Sequence, residues 1–283
     1  MIKPARYWRK EEWQIGLLTA LGAAFLLLFC LLPFAYMLAV AWAENHDFLS
    51  PQVDFRWTFA NFREIAVPEL HVPAYLANSL GIAGATALGA TVFAGLAAFA
   101  LTRLRVKGGR GILLAALALS MFPPISIAGY LFRMMAELGW INTYPALILP
   151  YIAWILPLCL WFLAGFFQGI PRELDKAAWV DGCTPWQLLR HILLPLARPG
   201  LLSAALLAFI FAYNEFLFAL LLTVDAHSRT LPVGIAMFQG LHGEVPWGSL
   251  MAASVLAVLP VVLLALVFQK QIVGGLTRGA VKG

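Results

Sequence analysis

The stretch Ile15–Ala43 reads IGLLTALGAAFLLLFCLLPFAYMLAVAWA and contains no charged residue. A helix needs about 20 mostly apolar residues to cross a bilayer, and the apolar core of a secretory signal peptide has only about 7–15. We therefore expect an uncleaved first membrane span. In the whole chain 62% of the residues are hydrophobic and 12% are charged, with a mean hydropathy of +0.84. Soluble domains carry about a quarter charged residues, so this composition excludes an ordinary soluble domain.

Six stretches are long and apolar enough to cross a membrane: 15–43, 74–102, 111–136, 145–168, 200–223 and 249–269. They predict an all-α protein whose six transmembrane helices form one domain, residues 15–270, between an N-terminal segment (1–14) and a C-terminal tail (271–283). Pro123 and Pro124 lie inside the third stretch, and Pro150 and Pro157 lie inside the fourth. Because proline usually marks a kink in a membrane helix, we expect both spans to be kinked.

Basic residues predict the orientation, because cytoplasmic loops of membrane proteins carry an excess of Lys and Arg. With the N-terminus inside, fifteen of the nineteen basic residues fall in the N-terminal segment, the loops after the second and fourth spans, and the tail. Both termini are therefore predicted to be cytoplasmic. The expected location is the cytoplasmic (inner) membrane of a bacterium or archaeon, which the chain crosses several times.

The loop at residues 169–199, between the fourth and fifth spans, is about 30 residues long, whereas most helix–helix connections have about 2–8. Its sequence predicts ordered structure. Pro171 suits the first position of a helix, and Glu173 and Asp175 in the first turn complement the helix dipole. Gly182 is the residue expected to end this helix.

A second helix is predicted to follow at once. The run TPWQ at Thr184–Gln187 has the pattern of a capping box, with threonine as the N-cap, proline at the first helical position and glutamine three residues after the cap. Pro195 and Pro199 are expected to end this helix before the fifth span, since proline lacks an N–H and clashes with the preceding turn. The sequence thus predicts a protruding cytoplasmic knob, Arg172–Gln187, made of two short helices that meet at a glycine.

Seven residues of this loop form a recognisable pattern: Lys176, Ala177, Ala178, Asp181, Gly182, Leu194 and Pro195. The pattern resembles the EAA loop of ABC importer permeases, which is E-A-A-x-x-x-G followed by L-P. The run DGCTPWQ (181–187) is similar to the carbohydrate-uptake branch, and GLTRGAVKG (275–283) resembles the C-terminus of the smaller permease of maltose-type importers. Asn78-Ser79-Leu80 and Asn214-Glu215-Phe216 resemble further family motifs. The resemblance covers most of the chain and implies the type I ABC importer permease fold with cytoplasmic coupling helices.

The resemblance implies that the loop docks on a separate ATPase subunit. The residues that it assigns to this contact are Glu173, Asp175, Lys176, Ala177, Ala178, Asp181 and Gly182. It also implies that the tail contacts the ATPase dimer, through Thr277, Arg278 and Lys282. Lys176 occupies the position of the motif's glutamate, which in the family faces basic residues of the ATPase. Glu173 or Asp175, about one turn away, is therefore a candidate to replace it.

The sequence contains no G-x-x-x-x-G-K-[ST] phosphate loop, so no ATP site of that kind is expected in this chain. The chain is predicted to be a transport subunit and not an enzyme, with no directly bound cofactor. The resemblance implies that a partner ATPase uses ATP and Mg.

Glu215 is the only acid deep inside a predicted span, where ionisable residues usually face the bundle interior or a water-filled cavity. Together with Asn214 and Tyr213, which stands where the family usually has tryptophan, it could hydrogen-bond sugar hydroxyls. An equal alternative is a structural hydrogen bond between helices. Weaker candidates for the substrate pathway are Asn78, Ser126 and Tyr130.

Gln239, His242 and Glu244 form a polar cluster in the segment between the fifth and sixth spans. The resemblance implies that this segment contacts an extracytoplasmic solute-binding protein. A metal site is not expected, because the remaining histidines have no ligand spacing. The three cysteines lie far apart and predict no disulfide framework.

The resemblance implies a permease subunit of an ATP-driven, binding-protein-dependent importer of a maltose- or trehalose-type oligosaccharide. It would pair with a second permease in the lipid bilayer, form half of the translocation pathway, and sit on an ATPase dimer; no nucleic-acid partner is expected. A permease for glycerol phosphate or polyamine would share the loop motif. A proton-coupled secondary transporter could use Glu215, although no inverted repeats are visible in the sequence. The sequence does not identify the sugar.

Overall fold

The computed structural model describes residues 5–44, 56–104, 106–238 and 245–280. Their helices are α1 (Ala5–Ala41), α2 (Ala60–Ile65), α3 (Val72–Arg103), α4 (Gly109–Ser120), α5 (Ile125–Glu137), α6 (Tyr144–Gln168), α7 (Glu173–Val180), α8 (Pro185–Asn214), α9 (Leu217–Leu222), α10 (Leu231–Ala236) and α11 (Trp247–Ala280). The only β pairing among these residues is one bridge between Ala43 and Trp57. The predicted all-α class is therefore confirmed.

Five helices within the described part of the chain are long and apolar enough to cross a membrane: Ile15–Ala41, Val72–Arg103, Tyr144–Gln168, Pro185–Asn214 and Trp247–Gln269. α4 and α5 pass the same test together as a bent pair, which makes six spans if the pair is one span. The six predicted stretches correspond to these elements.

The third predicted stretch, 111–136, is two helices and not one kinked helix. α4 ends at Ser120, α5 begins at Ile125, and the two are bent by 90°. Pro123 and Pro124 explain the break, because neither supplies a backbone N–H and each disfavours helical geometry in the residue before it. In the fourth stretch, by contrast, α6 continues through both of its prolines.

The fifth predicted stretch, 200–223, is displaced along the chain. α8 begins at Pro185 and runs through Pro195 and Pro199, so the prediction that these two prolines end the helix is wrong. A π-helical turn, Leu188–Leu193, precedes them, and its widened hydrogen bonding accommodates the missing N–H and the ring of Pro195. The second helix of the predicted knob is therefore the first turn of a membrane-spanning helix.

The chain divides into two compact units, Met1–Ala66 with Phe238–Leu256, and Val67–Met237 with Ala257–Gly283. In the smaller unit the amide of Asn61 donates to the carbonyls of Ala41 and Ala43, both at 2.9 Å. The hydroxyl of Ser249 donates to the carboxylate of Glu64 at 2.6 Å. These bonds join α1, α2 and the first part of α11.

The core of the larger unit lies where α3, α6 and α8 pack together. α3 contributes a row of buried alanines: Ala87, Ala90, Ala94 and Ala98. Small side chains let membrane helices approach closely. α8 shows the same close approach at Gly200, where a Cβ would lie 2.6 Å from the ring of Phe166.

Candidate functional site

The knob consists of α7, an elbow, and the first turn of α8. α7 ends in a Schellman motif, in which the N–H of Cys183 bonds to the carbonyl of Ala178 at 2.9 Å and the N–H of Gly182 to that of Trp179 at 3.2 Å. Gly182 has φ +75°, a left-handed conformation that glycine adopts without steric penalty. The structure confirms the prediction that Gly182 ends the first helix.

The elbow leads directly into a capping box. The hydroxyl of Thr184 accepts a hydrogen bond from the N–H of Gln187 at 3.3 Å, and the side-chain oxygen of Gln187 accepts one from the N–H of Thr184 at 2.8 Å. This predicted motif is confirmed. At the other end of the knob, α7 begins at Glu173 with Arg172 as its N-cap, so Pro171 precedes the helix and does not occupy its first position.

One side of α7 is packed and the rest of the knob is exposed. Ala178 is 2% exposed and belongs to the same core cluster as Leu188, Leu189 and Leu193 of the π-helical turn. The large apolar side chains that the knob exposes are Leu174, Trp179, Val180 and Trp186. An exposed apolar group of this kind on an ordered, capped element is typical of a contact surface.

Arg103, the last residue of α3, anchors the knob. Its Nη1 lies 2.6 Å from Oδ2 of Asp175, and the two side chains are 3% and 16% exposed. Its Nη2 donates to the carbonyls of Phe167 and Ile170, at 2.5 and 2.8 Å. Arg103 was not among the predicted site residues, because its partners follow it by more than 60 positions in the sequence.

The predicted coupling residues fall into three groups. Those exposed on the knob are Glu173, Lys176, Ala177, Asp181 and Gly182. Ala178 is buried in the core, and Asp175 is bound to Arg103 within the chain. Because the carboxylate of Asp175 already has a cationic partner, Glu173 is the better placed of the two acids to replace the missing glutamate of the motif.

The remaining predicted partner contacts lie at the edge of the described structure or outside it. α11 is helical to Ala280, so the backbone of Thr277 and Arg278 continues the last helix. Lys282 lies outside the described residues, and so do Gln239, His242 and Glu244.

Glu215 lies at the break between α8 and α9, and its carboxylate is fully engaged there. Oε2 accepts the hydroxyl proton of Tyr151 at 2.6 Å and the N–H of Ala219 at 3.2 Å, while Oε1 accepts the N–H of Phe218 at 2.9 Å. The side chain therefore caps the N-terminus of α9 and satisfies backbone groups that the break would leave unpaired. This geometry favours the structural alternative for Glu215.

The other pathway candidates differ in how free their polar groups are. The amide of Asn78 donates to the carbonyls of Ala226 and Arg229, both at 3.0 Å. The hydroxyl of Tyr213 donates to the carbonyl of Ala257 at 3.0 Å. Asn214 is exposed and donates to its own helix, and Tyr130 is 75% exposed.

Asn142, in the turn before α6, organises the segment that follows α9. Its side-chain oxygen accepts bonds from the N–H of Val224 at 3.0 Å and the hydroxyl of Ser228 at 2.8 Å, and its Nδ2 donates to Asp225 at 2.9 Å. That last bond is the main cause of a lowered pKa of Asp225, and the N–H of His227 adds to it. Sequence reasoning missed Asn142, whose φ of +65° is a conformation that asparagine tolerates better than most residues.

A cavity of about 520 Å³ lies in the angle between α4 and α5, with α6 as its wall. Its lining is mainly apolar, and Ser120 is its only hydroxyl-bearing residue. It therefore offers few hydrogen bonds to a polar solute. No cluster of three or more His, Cys, Asp or Glu side chains that could hold a metal occurs among the described residues.

Comparison with known proteins gives concordant matches. The family model described as "Binding-protein-dependent transport system inner membrane component" matches residues 90–278. The trehalose/maltose transport system permease protein MalG of Thermococcus litoralis is 51% identical over 97% of this chain and 99% of that protein. The trehalose transport system permease protein SugB of Mycobacterium tuberculosis is 46% identical over 80% of this chain and 82% of that protein.

Among solved structures, a chain of a bacterial ABC transporter involved in the import of the acidic polysaccharide alginate superposes with a TM-score of 0.78. The match covers 95% of this chain and 99% of that chain, at 19% identity, and it supports the fold alone. The family match extends over the knob, the π-helical turn and the break at Glu215. The chain belongs to the family of binding-protein-dependent transport system inner membrane components, the multi-pass membrane permeases of ABC importers.

Proposed function

We propose that this chain is a permease subunit of an ATP-driven importer for a trehalose- or maltose-type oligosaccharide. It forms half of the translocation pathway with a second permease, receives the sugar from an extracytoplasmic binding protein, and is driven by an ATPase dimer. The observation that carries the proposal is the ordered knob, because a solute carrier that does not couple to an ATPase has no need of a capped helical projection that continues directly into a span.

The sugar class is proposed from the relatives. The two permeases at 51% and 46% identity are both named for trehalose transport, and one of them also for maltose. A glycerol phosphate or polyamine importer is the alternative within the same class of transporter.

The way in which the knob is attached supports a coupling role. α8 begins inside the knob and continues as a membrane-spanning helix, so rotation of the knob is transmitted directly to that span. Arg103 ties α7 to the ends of α3 and α6. A subunit that grips the exposed side chains Glu173, Lys176 and Val180 would therefore tilt three spans together, as alternating access requires.

The proposal places the knob and both termini on the cytoplasmic side, in agreement with the distribution of Lys and Arg. ATP and Mg bind to the partner ATPase, since this sequence has no phosphate loop. The tail residues Thr277, Arg278 and Lys282 contact the ATPase dimer, and Gln239, His242 and Glu244 contact the binding protein.

Reconstitution tests the function. The chain is co-purified with its second permease and ATPase, placed in liposomes, and supplied with the binding protein and labelled trehalose or maltose. We expect uptake that requires both internal ATP and the binding protein. Uptake driven by a proton gradient without ATP would instead support a secondary transporter, and ATP-driven uptake of glycerol phosphate or a polyamine would change the substrate class.

A pull-down tests the docking site. Gly182→Asp should reduce recovery of the ATPase with the permease pair, because it disturbs the elbow that orients α7. Full recovery and full transport with Gly182→Asp would show that the knob is not the docking element and would favour a helix pair that lies on the lipid surface.

A further inference from the structure

We propose that one face of α5, formed by Ser126, Tyr130, Arg133 and Glu137, lines the aqueous route of the solute and binds its hydroxyl groups. This inference rests on the proposed function and names residues of this chain that contact the sugar. These four side chains form the α5 stripe.

The spacing of the α5 stripe places it on one side of the helix. Steps of four, three and four residues bring side chains to nearly the same angular position around an α-helix. The opposite side of α5 is packed, since Ala128, Leu131 and Met135 are 5%, 8% and 3% exposed. Packing therefore fixes the rotation of α5 and directs the stripe away from the core of this subunit.

Exposure and charge favour water over acyl chains as the surroundings of the stripe. Tyr130 is 75% exposed. Arg133 and Glu137 lie 3.1 Å apart, as an ion pair whose side chains are 80% and 69% exposed. Arg133 and Glu137 lie near the C-terminal end of α5, at the end of the third predicted span, where charged side chains can reach water, and Ser126 and Tyr130 continue the same face along the helix. Among the described residues the hydroxyls of Ser126 and Tyr130 have no hydrogen-bond partner, which favours water beside this face.

The break before α5 also supports an aqueous route beside this helix. Between Ser120 and Ile125 the backbone leaves helical geometry, and Met121 and Phe122 at the break are 82% and 55% exposed. Non-helical backbone is tolerated at membrane depth only where it is buried in protein or lines a water-filled cavity. In other transporters, discontinuous helices form the substrate site.

The chemistry of the stripe fits a neutral polyhydroxyl solute. The hydroxyls of Ser126 and Tyr130 donate and accept hydrogen bonds, Arg133 only donates, and the carboxylate of Glu137 only accepts. The charges of the ion pair cancel, so the stripe gives no strong preference for a charged solute. The polar groups of Asn78, Tyr213 and Glu215 are engaged within the chain, whereas the hydroxyls of Ser126 and Tyr130 have no partner among the described residues.

The test is cysteine accessibility in the assembled complex with its binding protein. Cys30, Cys159 and Cys183 are first replaced by serine, and Tyr130→Cys or the control Phe132→Cys is then introduced. Phe132 lies on the same helix, roughly opposite Tyr130 around its axis, and is 44% exposed. A membrane-impermeant charged thiol reagent is applied with and without the transported sugar.

We expect the reagent to label Tyr130→Cys, the sugar to slow that labelling, and Phe132→Cys to show no such protection. Labelling without protection by sugar would place the stripe on the outer aqueous surface, and no labelling would mean that the partner permease or lipid covers it; either result overturns the inference. In the native-cysteine complex, Tyr130→Phe should lower the uptake rate about fivefold, which corresponds to one lost hydrogen bond of about 1 kcal/mol.

Different results would contradict the proposed function and this inference. If the unmodified complex shows no ATP-driven sugar uptake, the proposed function is wrong. If uptake is intact but sugar does not protect Tyr130→Cys, the function stands and the assignment of the α5 stripe is wrong.

Discussion

The guanidinium of Arg103 and the carboxylate of Asp175 lie 2.6 Å apart and join the end of α3 to the first turn of α7. The same guanidinium donates hydrogen bonds to the carbonyl of Phe167, in the last turn of α6, and to that of Ile170, just after the helix. α7 is thus tied to two spans by hydrogen bonds and to α8 through the Gly182 elbow. The knob is therefore an ordered element that hydrogen bonds and the chain itself join to three spans.

The first prediction concerns this ion pair. Asp175→Asn should lower the thermal stability of the complex and reduce transport per ATP hydrolysed, because removal of one partner of a buried pair costs about 3–5 kcal/mol. The matched control for thermal stability is Glu173→Gln, the same acid-to-amide change in the same helical turn at an exposed position. The measurements are the midpoint of thermal unfolding and the ratio of sugar transported to ATP consumed.

If Asp175→Asn and Glu173→Gln have the same unfolding midpoint, the ion pair does not hold the knob. A loss of ATPase binding with Glu173→Gln alone would identify Glu173 as the acid that replaces the motif's glutamate.

The second prediction concerns the elbow. A Cβ at Gly182 would meet no atom of this chain within 4 Å, so within the chain the effect of a larger residue arises from its φ of +75°. A left-handed conformation costs a non-glycine residue about 1–2 kcal/mol, and asparagine tolerates it best. We expect coupled transport to fall in the order Gly182→Asn, Gly182→Ala, Gly182→Val. Equal activity of the valine and asparagine variants would show that coupling does not depend on the conformation of the elbow.

The features that the sequence predicted are those encoded by neighbouring residues. The length of an apolar run predicts a span, and the capping box at Thr184–Gln187 and the elbow at Gly182 are set within a few residues of the chain. The π-helical turn before Pro195 was not predicted, because whether a proline ends a helix depends on the packing of the turn before it. Leu188, Leu189 and Leu193 are buried in the core and hold that turn in place.

Long-range partners are the other feature that the sequence does not show. The partner of Asp175 is Arg103, 72 positions earlier in the chain. A lone acid in an apolar run is conspicuous, but the sequence leaves both a pathway role and a structural hydrogen bond open for Glu215. The tertiary structure and the helix break show which groups bind the carboxylate of Glu215. They are the hydroxyl of Tyr151 and backbone N–H groups at the start of α9.

The third prediction concerns helix packing. Gly200→Ala should destabilise the protein by about 1–3 kcal/mol, because the added methyl would lie within 3 Å of the ring of Phe166 and force α6 and α8 apart. Gly165→Ala is the control, since a Cβ there meets nothing within 4 Å. Thermal unfolding of the purified complex measures both. A Gly200→Ala variant as stable as Gly165→Ala would mean that the two helices are not in close contact.

The fourth prediction separates two roles of Glu215. Glu215→Gln keeps a side-chain oxygen that can accept the N–H of Phe218, so it should retain most transport. Glu215→Ala leaves that N–H and the hydroxyl of Tyr151 unpaired, and loss of such a cap costs about 1 kcal/mol or more. The alanine variant should therefore lose thermal stability before it loses any sugar specificity. A glutamine variant with native stability and no uptake would instead support a direct role of Glu215 in the transport pathway.

The fifth prediction concerns pH and the segment ordered by Asn142. The amide of Asn142 and the N–H of His227 lower the pKa of Asp225, so the carboxylate form is the one that stabilises the segment. Because the pKa is lower in the folded state, this contribution is fully present above the ordinary value of about 3.9 and is lost only as the pH falls through the folded value. Asp225 should therefore give no change in the protection of residues 224–229 from hydrogen exchange between pH 5 and 8.

The comparison is made in a His227→Gln background, which removes the one ionisable side chain of residues 224–229 other than Asp225 and Arg229. In this background protection factors should be constant from pH 8 to pH 5, and Asp225→Asn should lower them equally at every pH. A loss of protection between pH 7 and 5 that disappears in Asp225→Asn would mean that the carboxyl titrates there, with a pKa raised instead of lowered. The Asn142 bond would then not be the interaction that orders the segment.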